Sequence, residues 1–527
     1  VGSDDGFLSI QAAVDAADSG DTIAVQAGTY DAQVTVSTDD ITIRGAGDGA
    51  DPAQNTVLDG SGGGVAIVVA ADGFTVSDLN ATNWHNPIQL GEEVSEFNAV
   101  SDVAIDNVSL TGNSWSGVAI PNNASVDGLT VTNSNIDKNE FGLYFDSNYG
   151  VDDVDATTAN DVVVEDTTFD DNTGKGIYAE KLENATLSNL SVVRSGLGKN
   201  QNIYPNNGVD INLKRGDYTN VTVANSTFED AGLKDPENYG DLSGALVVKA
   251  RDDSGSYDDP AATLSDVTVR NNTFVGTEDN ATVALRFGEP GAGNAGPTGI
   301  TVEGNTFSGY DRLVWDTTAG SGLDLSTVFE NNTFTSGAAY VAGGSVVYDT
   351  AGSAVSAAES GDTVHLGPGT YSEQLVLDKS LTLTGSGQAT VLQGSGSGSG
   401  VDVRSDDVTI ASMNVTGFAN GIVLDRERTG LTVENVTLAG NSPYGIEIHN
   451  DGAVTDFRVE NTTFLNNQDG IRVSTGGEIH GLTVTESVFS GNVKGLEIYT
   501  KKSKDWTGIV EDVVVRDTEF LDNAQKG

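Results

Sequence analysis

A short phrase recurs along this chain, and it restricts the possible folds more than any other feature of the sequence. One copy, VENTTFLNN, occupies residues 459–467, and its sixth position is apolar. The corresponding apolar residues follow one another at intervals of 23 to 46 residues, at Phe169, Val192, Phe228, Phe274, Phe307 and Phe334, and again at Leu438, Phe464, Phe489 and Phe520. A repeat of this length cannot bury its own apolar side, so the phrase predicts a solenoid of stacked copies.

The pattern inside one repeat indicates strands. Between residues 457 and 473, apolar side chains alternate with polar ones at Phe457, Val459, Phe464, Ile471 and Val473. This alternation is strand periodicity, and the Asn and Gly residues between the short runs favour tight corners. A helical repeat is therefore excluded. The sequence predicts an all-β fold, a right-handed parallel β-helix whose rungs rise by about 4.8 Å.

With these repeats, the chain resembles the pectin-lyase-like superfamily of right-handed parallel β-helices. More narrowly, it is similar to the NNTF…GI-type repeat proteins that are common in haloarchaea and other microbes. The resemblance covers essentially the whole chain. Because the repeated residues are architectural, the resemblance implies the fold and says little about activity.

The opening of the chain returns once, which predicts two domains. Residues 9–19, SIQAAVDAADS, are Ala-rich and precede GDTIAVQAGTY, and residues 353–360, SAVSAAES, precede the similar GDTVHLGPGTY. Because the open end of a solenoid needs a cover, we expect a short N-terminal capping helix at each opening. The prediction is two tandem β-helices, residues 1–342 and 343–527, the second of which is expected to be truncated at Gly527.

Composition narrows the choice of environment and partners. The chain has 77 acidic and 26 basic residues, a formal net charge of −51, and the acids are spread over its whole length. Such a surface is typical of proteins from salt-rich surroundings, with an ordinary acidic secreted protein as the alternative. It disfavours nucleic acid as a partner. The chain has no cysteine, and its four histidines lack metal-ligand spacing. We expect no required cofactor and no membrane-spanning segment.

Outward positions of the strands that follow the corners should stack into a surface column. Along the chain this column holds Tyr144, Asp146, Tyr178, Glu180, Asp210, Asn212, Lys214, Lys249, Arg251 and Arg286. Four of its members, Tyr144, Tyr178, Asp210 and Asn212, are candidates for binding an anionic or neutral polysaccharide. The four basic residues form an unusual concentration in so acidic a chain. Their alternative role is ion pairing with acids of neighbouring rungs.

The resemblance also implies roles for the basic residues. Lyases of this superfamily use Lys or Arg to abstract the proton next to a uronate carboxyl group, which Arg or Ca²⁺ neutralises. By this resemblance Lys214 or Lys249 would be the base and Arg251 or Arg286 the neutralising group. Oxygen ligands for Ca²⁺ would come from Asp252, Asp253, Asp258 and Asp259. Hydrolases of the superfamily use clustered carboxylates instead.

The sequence therefore supports several functions. The leading hypothesis is an extracellular or cell-surface structural and adhesive protein of a halophile, glycosylated and assembling with like subunits. The alternatives are a polysaccharide lyase, another carbohydrate-active enzyme, or a non-catalytic module that binds a cell-surface glycan. Candidate glycosylation sites are Asn80, Asn107, Asn123, Asn184, Asn189, Asn220, Asn225, Asn271, Asn280, Asn331, Asn414, Asn435 and Asn461, each in an Asn-x-Ser/Thr sequence.

Overall fold

A computed structural model of the chain forms two compact units. They comprise Val1–Thr333 and Phe334–Gly527. The boundary predicted from the repeated opening lies nine residues further along the chain. The structure describes residues 6–92, 97–147, 157–197, 206–232, 242–252, 261–277, 281–290, 296–318, 320–449, 452–474, 476–499 and 509–525.

Short strands dominate the first unit. Its strands, numbered β1 to β26 in chain order, span Thr22–Ala24, Gly28–Tyr30, Val34–Val36, Thr42–Arg44, Thr56–Asp59, Val65–Val69, Thr75–Thr82, Asn86–Leu90, Asn98–Leu110, Ser116–Ile120, Ala124–Thr132, Phe141–Phe145, Ala159–Glu165, Lys175–Ala179, Glu183–Ser188, Ser191–Val193, Asn207–Leu213, Gly216–Ala224, Thr227–Glu229, Leu246–Ala250, Ala262–Arg270, Thr273–Val275, Val283–Phe287, Thr301–Glu303, Thr306–Ser308 and Arg312–Asp316. They pair in parallel ladders, chiefly β1-β4-β7-β9-β11-β13-β15-β18-β21-β24, β3-β6-β8-β10-β12-β14-β17-β20-β23-β26 and β16-β19-β22-β25.

The second unit repeats this arrangement with three ladders. Strand β27, Thr333–Phe334, spans the boundary between the units. Strands β28 to β50 span Ala339–Val341, Val346–Tyr348, Thr363–Leu366, Gly369–Tyr371, Leu375–Leu377, Thr382–Thr384, Thr390–Gln393, Ser399–Val403, Thr409–Ala411, Asn414–Thr416, Asn420–Leu424, Arg428–Thr429, Thr432–Glu434, Thr437–Ala439, Tyr444–Ile448, Ala453–Glu460, Thr463–Leu465, Asp469–Val473, Glu478–Thr485, Val488–Ser490, Lys494–Ile498, Val510–Arg516 and Glu519–Leu521. The ladders β30-β33-β36-β40-β43-β46-β49, β31-β34-β37-β41-β44-β47-β50 and β32-β35-β38-β42-β45-β48 enclose its core.

The recurring aromatic residues form stacks inside each unit. Phe464 lies over Phe489 with ring centroids 4.4 Å apart, and Phe489 lies 4.8 Å from Phe520. A similar stack in the first unit joins Phe228, Phe274 and Phe307 at 4.8 and 4.9 Å. These distances match the spacing of adjacent strands, so each repeat adds one rung. The predicted stacking of repeats into a parallel β-helix is confirmed.

The last Asn of each phrase has a structural function that the corners alone do not explain. Asn441, Asn467, Asn492 and Asn523 form a ladder in which each backbone N–H donates to the side-chain oxygen of the next member, at 2.9 to 3.1 Å. Each of the last three also donates its side-chain N–H to a carbonyl of a preceding strand, at 2.9 or 3.0 Å. The ladder therefore pairs backbone groups that the corner would otherwise bury without partners.

Short helices lie at both openings. Helix α1 spans Ile10–Val14, with Ser9 accepting a hydrogen bond from the Ala12 N–H. It is shorter than the Ala-rich stretch of residues 9–19. After Val14 the backbone N–H groups of Ala16 and Ala17 bond to the carbonyls three residues earlier, as in turns and not as in an α-helix. Two further helices are α2 at Leu325–Asn331 and α3 at Ala351–Ala357, and a 3₁₀ turn spans Gly387–Ala389. The Glu373 carboxylate accepts the first N–H groups of α3 at 3.0 and 2.8 Å.

Candidate functional site

The predicted surface column lies on the ladder that runs from β3 to β26, here called the cleft sheet. Strand register aligns Tyr144, Tyr178 and Asp210 on three successive rungs. The same column continues through Val247 to Arg286. Adjacent members are therefore about 4.8 Å apart along the solenoid. Residues far apart in sequence are neighbours here because the intervening loops leave the register unchanged.

One end of this column is an aromatic cluster. The rings of Tyr144 and Tyr178 stack with centroids 5.6 Å apart and planes inclined by 19°. Phe141 stacks on Tyr144 at 5.0 Å, and Trp115 meets Tyr144 edge-on at 5.8 Å. The exposed ring of His85 stacks on Trp115 at 5.8 Å. These contacts hold the rings in fixed orientations.

A cleft of about 440 Å³ opens beside the cluster. It is lined by His85, Asn86, Gln89, Trp115, Ala119, Ile120, Pro121, Asn122, Tyr144 and Asp146. The lining combines aromatic faces with amide groups and one carboxyl group. Clefts of this size and composition bind small molecules or short segments of a polymer.

Two carboxyl groups near the cleft titrate differently. Burial, and then the charge of Glu180, raises the pKa of Asp146 to about 7. Burial opposes the ionisation of Glu180 as well, but the ammonium of Lys214 outweighs it and keeps the pKa of Glu180 below its ordinary value. Glu180 also accepts hydrogen bonds from the Tyr178 hydroxyl at 2.5 Å and the Ser147 N–H at 3.0 Å. Near neutral pH, the pair therefore combines an ionised carboxylate with a partly protonated one.

The basic residues of the column do not form an open face. The exposed fraction is 6% for Lys214, 2% for Lys249 and 0% for Arg286. Residues on flanking segments contact them: Glu289 accepts from Lys249 at 2.9 Å, and the Leu242 carbonyl accepts from Arg286 Nη1. The expectation of a solvent-facing basic stripe is corrected accordingly.

The geometry matches the alternative of ion pairing across rungs. Lys175 Nζ lies 2.7 Å from Asp210 Oδ2 and 3.5 Å above the Tyr178 ring centre, and Lys214 pairs with Glu180. Half-buried Arg251 approaches Glu289 at 3.6 Å. The predicted binding residues Asp210 and Asn212 are buried, and Asn212 donates to the Tyr178 hydroxyl at 3.0 Å. A role for Lys214, Lys249, Arg251 or Arg286 in lyase chemistry stays a prediction.

The calcium site also stays a prediction. Asp252 is half-buried, while Asp253, Asp258 and Asp259 lie outside the described residues. Among the residues that the structure describes, no group of three or more His, Asp or Glu side chains is arranged to hold a metal ion.

The candidate glycosylation sites separate by exposure. Eight are exposed: Asn184, Asn189, Asn220, Asn225, Asn271, Asn331, Asn435 and Asn461. Asn107 and Asn414 are half-buried, and Asn280 lies outside the described residues. Asn80 and Asn123 are only 5% and 4% exposed. These last two have no room for a glycan in the folded protein.

Sequence reasoning missed three residues of the site. Trp115 and His85 come from corners before β10 and β8, where the repeat pattern assigns no outward position. Lys175 occupies the first position of β14, where the sequence pattern does not distinguish a strand residue from a corner residue. The scarcity of tryptophan, four in the whole chain, was the one available signal for Trp115.

Comparisons with known proteins find a matching fold family and a relative that is named as a cell-surface protein. Residues 386–508 match the family model for a right handed beta helix region. A cell surface glycoprotein of Methanothermus fervidus is 33% identical over 78 residues, which are 15% of this chain and 13% of that relative. The aligned part therefore spans a small fraction of that relative's length.

Solved structures with similar topology include two lyases. An alginate lyase from Paenibacillus sp. str. FPU-7 is 18% identical, with a TM-score of 0.38, covering 58% of this chain and 95% of that one. Pectate lyase Pel9A is 15% identical, with a TM-score of 0.30, covering 51% and 72% of the two chains. In the described part of this chain, no helix has the length and apolar character needed to cross a membrane. The parallel strand ladders and the family-model match identify the fold as a right-handed parallel β-helix.

Proposed function

We propose that this chain is an extracellular or cell-surface protein that binds a polysaccharide in the cleft of its first unit. The observation that carries the proposal is the set of fixed aromatic rings beside a polar cleft. Sugar rings present apolar faces that pack on aromatic rings, and their hydroxyl groups pair with amides and carboxyl groups. Trp115 and Tyr144 would supply the faces, and Asn86, Gln89 and Asn122 the polar partners.

The surface location rests on separate support. The short similarity to a protein named cell surface glycoprotein and the eight exposed sequons both favour it. A binding cleft on such a protein gives it an adhesive function without requiring catalysis. Assembly with like subunits is a further part of the hypothesis, to be tested by sedimentation.

Glycan mass spectrometry on protein from its native host should find occupancy at exposed sequons and none at Asn80 or Asn123.

A binding titration tests the proposal. Isothermal titration calorimetry would measure binding while a panel of hexasaccharides is added to the protein in concentrated salt. We expect Trp115→Ala and Tyr144→Ala to weaken binding at least about tenfold, because each removes a stacking face. Trp315→Ala is the matched control, since Trp315 occupies the same column five rungs from Tyr144 and contacts Arg312. Equal loss in all three variants, or no saturable binding to any glycan, would contradict the proposal.

One observation favours a second function, the hydrolysis of the bound glycan. The pKa of Asp146 is raised to about 7, while the neighbouring Glu180 is ionised. Two carboxyl groups whose pKa values differ in this way can supply a proton donor and a charged partner. New reducing ends that disappear in Asp146→Asn but persist in Lys249→Ala would support hydrolysis. New unsaturated uronates that disappear in Lys249→Ala would support the lyase alternative instead. If neither product forms during a long incubation, adhesion without catalysis remains the proposed function.

A further inference from the structure

We infer that the cleft selects uncharged sugar chains and discriminates against uronates. This inference rests on the proposed glycan-binding function and names its substrate class. It differs from the expectation, drawn from the sequence, of an anionic polysaccharide on a basic stripe. The argument depends on the charges that line the cleft and on the cations near it.

In the described lining, no permanently charged cation is present to recognise a carboxylate. Among the described residues that line the cleft, there is no lysine or arginine, and Asp146 is the one acid. Asp146 is neutral when protonated and repels a uronate when ionised, so neither state attracts a carboxylate. Tyr144 stays neutral because burial raises the pKa of its hydroxyl. His85 is the remaining titratable group of the lining, and it is exposed to solvent.

Two lysines behind the cleft are already engaged, and burial lowers the pKa of one of them, Lys181, to about 7. Lys181 is fully buried and donates to the Pro121 carbonyl at 2.8 Å and the Ala124 carbonyl at 2.5 Å, which fixes one wall of the cleft. Lys214 pairs with buried Glu180. If Lys214 turned toward a ligand, it would leave the carboxylate of Glu180 buried without its charge partner, so the change is unfavourable.

The rest of the lining suits hydroxyl groups. Asn86 Oδ1 already accepts from the Ser116 N–H and hydroxyl, so Asn86 can offer a ligand its amide N–H groups. Gln89 Nε2 donates to the Gly91 carbonyl, so Gln89 can offer its amide oxygen, and Asn122 adds a third amide to the lining. A cleft that cannot compensate the charge of a ligand disfavours that ligand, because the charge is partly desolvated on binding. At low salt, the formal net charge of −51 also repels a uronate. In concentrated salt that field is screened within about 3 Å, so the local lining decides selectivity.

Matched oligosaccharides test the inference. Hexamers of β-1,4-glucose, β-1,3-glucose and α-1,3-glucose would be compared with hexamers of galacturonate and mannuronate, by calorimetry and tryptophan fluorescence in one concentrated salt buffer. We expect at least one neutral hexamer to bind at least about tenfold more tightly than either uronate. Asp146→Asn should reduce that ratio at least about threefold, and Asp146→Lys should reduce it further. Asp31→Asn, at an exposed aspartate of the same unit, should leave the ratio unchanged.

The outcomes separate the two proposals. Uronates that bind as tightly as neutral hexamers, or more tightly, would overturn the inference and leave the glycan-binding function standing. Failure of every hexamer to bind would overturn both. The wild-type ratio decides the matter even if a variant at Asp146 does not fold, and circular dichroism would identify that case.

Discussion

At the scale of single residues, Glu180 organises the outward face of the first unit. Its carboxylate accepts from the Tyr178 hydroxyl and the Ser147 N–H and pairs with Lys214. A buried ion pair contributes little net stability when it is intact, because desolvation of both groups offsets their attraction. Loss of one partner is different, since the other charge then remains buried alone. Removal of one partner should therefore lower the free energy of unfolding more than removal of both.

Replacement of Lys214 tests this argument. Lys214→Met should lower the free energy of unfolding by about 3–5 kcal/mol, because Glu180 loses its charge partner. Urea unfolding in constant high salt would measure the change. Arg194→Met is the control: Arg194 and Asp171 form an exposed pair at 2.8 Å, whose loss should cost less than about 1 kcal/mol. The double variant Lys214→Met/Glu180→Gln should recover part of the loss. Equal effects of Lys214→Met and Arg194→Met would be incompatible with the argument.

Asp146 should make stability depend on pH. Its pKa of about 7 in the folded protein exceeds the ordinary value of 3.8, so the folded state retains a proton that the unfolded chain releases. The free energy of unfolding should therefore fall as pH rises from about 4 to about 7, by on the order of 1–4 kcal/mol from this group. Urea unfolding across this range should show a shallower decline for Asp146→Asn than for wild type. Asp31→Asn should follow the wild-type curve, and parallel curves for all three proteins would exclude the assigned shift.

At the scale of elements, the buried Asn ladder connects rungs as directly as the strands do. Asn467 Oδ1 accepts from the Asn441 N–H at 2.9 Å, and its side-chain N–H donates to the Leu438 carbonyl at 2.9 Å. Its own backbone N–H donates to Asn492 Oδ1 at 2.9 Å. Three rungs thus meet at one residue that is 3% exposed. The fold depends on this position because the corner leaves these backbone groups away from water.

Removal of that amide should destabilise the second unit. Asn467→Ala leaves the Leu438 carbonyl and the Asn441 N–H without their partner, so it should cost about 2–4 kcal/mol in urea unfolding. The neighbouring Asn466 is exposed and has a φ of 55°, a conformation that glycine adopts freely. Asn466→Gly should therefore change stability by less than about 1 kcal/mol. A smaller effect at Asn467 than at Asn466 would refute the structural role of the ladder.

At the scale of the whole molecule, net charge should control stability. The formal charge of −51 is carried by 77 acids against 26 basic residues. Three of the described basic residues, Lys175, Lys214 and Lys249, are buried in pairs with acids, so these pairs leave the net charge of the remaining surface unchanged. Repulsion among surface carboxylates disfavours the compact state, and salt weakens it.

Salt should therefore raise the melting temperature. Between about 0.1 M and about 2 M KCl, we expect a rise on the order of 10 °C, measured by circular dichroism. Sucrose at matched osmolality is the control, because it favours compact states without screening charge. A melting temperature that is insensitive to KCl, or equally sensitive to sucrose, would contradict the halophilic interpretation.

The sequence alone determined the architecture of this protein. Phe464 and its counterparts recur once per rung, and a residue that recurs with the rung must stack on its copies, so the parallel β-helix followed without any knowledge of contacts. The column of Tyr144, Tyr178 and Asp210 followed for the same reason. What repeats in sequence is repeated in space, and the local alternation of strands fixes which side faces the core.

Tertiary structure alone decided the chemistry of the outward face. Whether Lys249 and Arg286 are open or buried depends on Glu289 and Leu242, which lie in insertions that follow no repeat. The cleft likewise needs Trp115 and His85, which reach it from corners. Periodicity predicts only what every rung shares. Burial and pairing arise between particular insertions and particular rungs, so only the tertiary structure determines them.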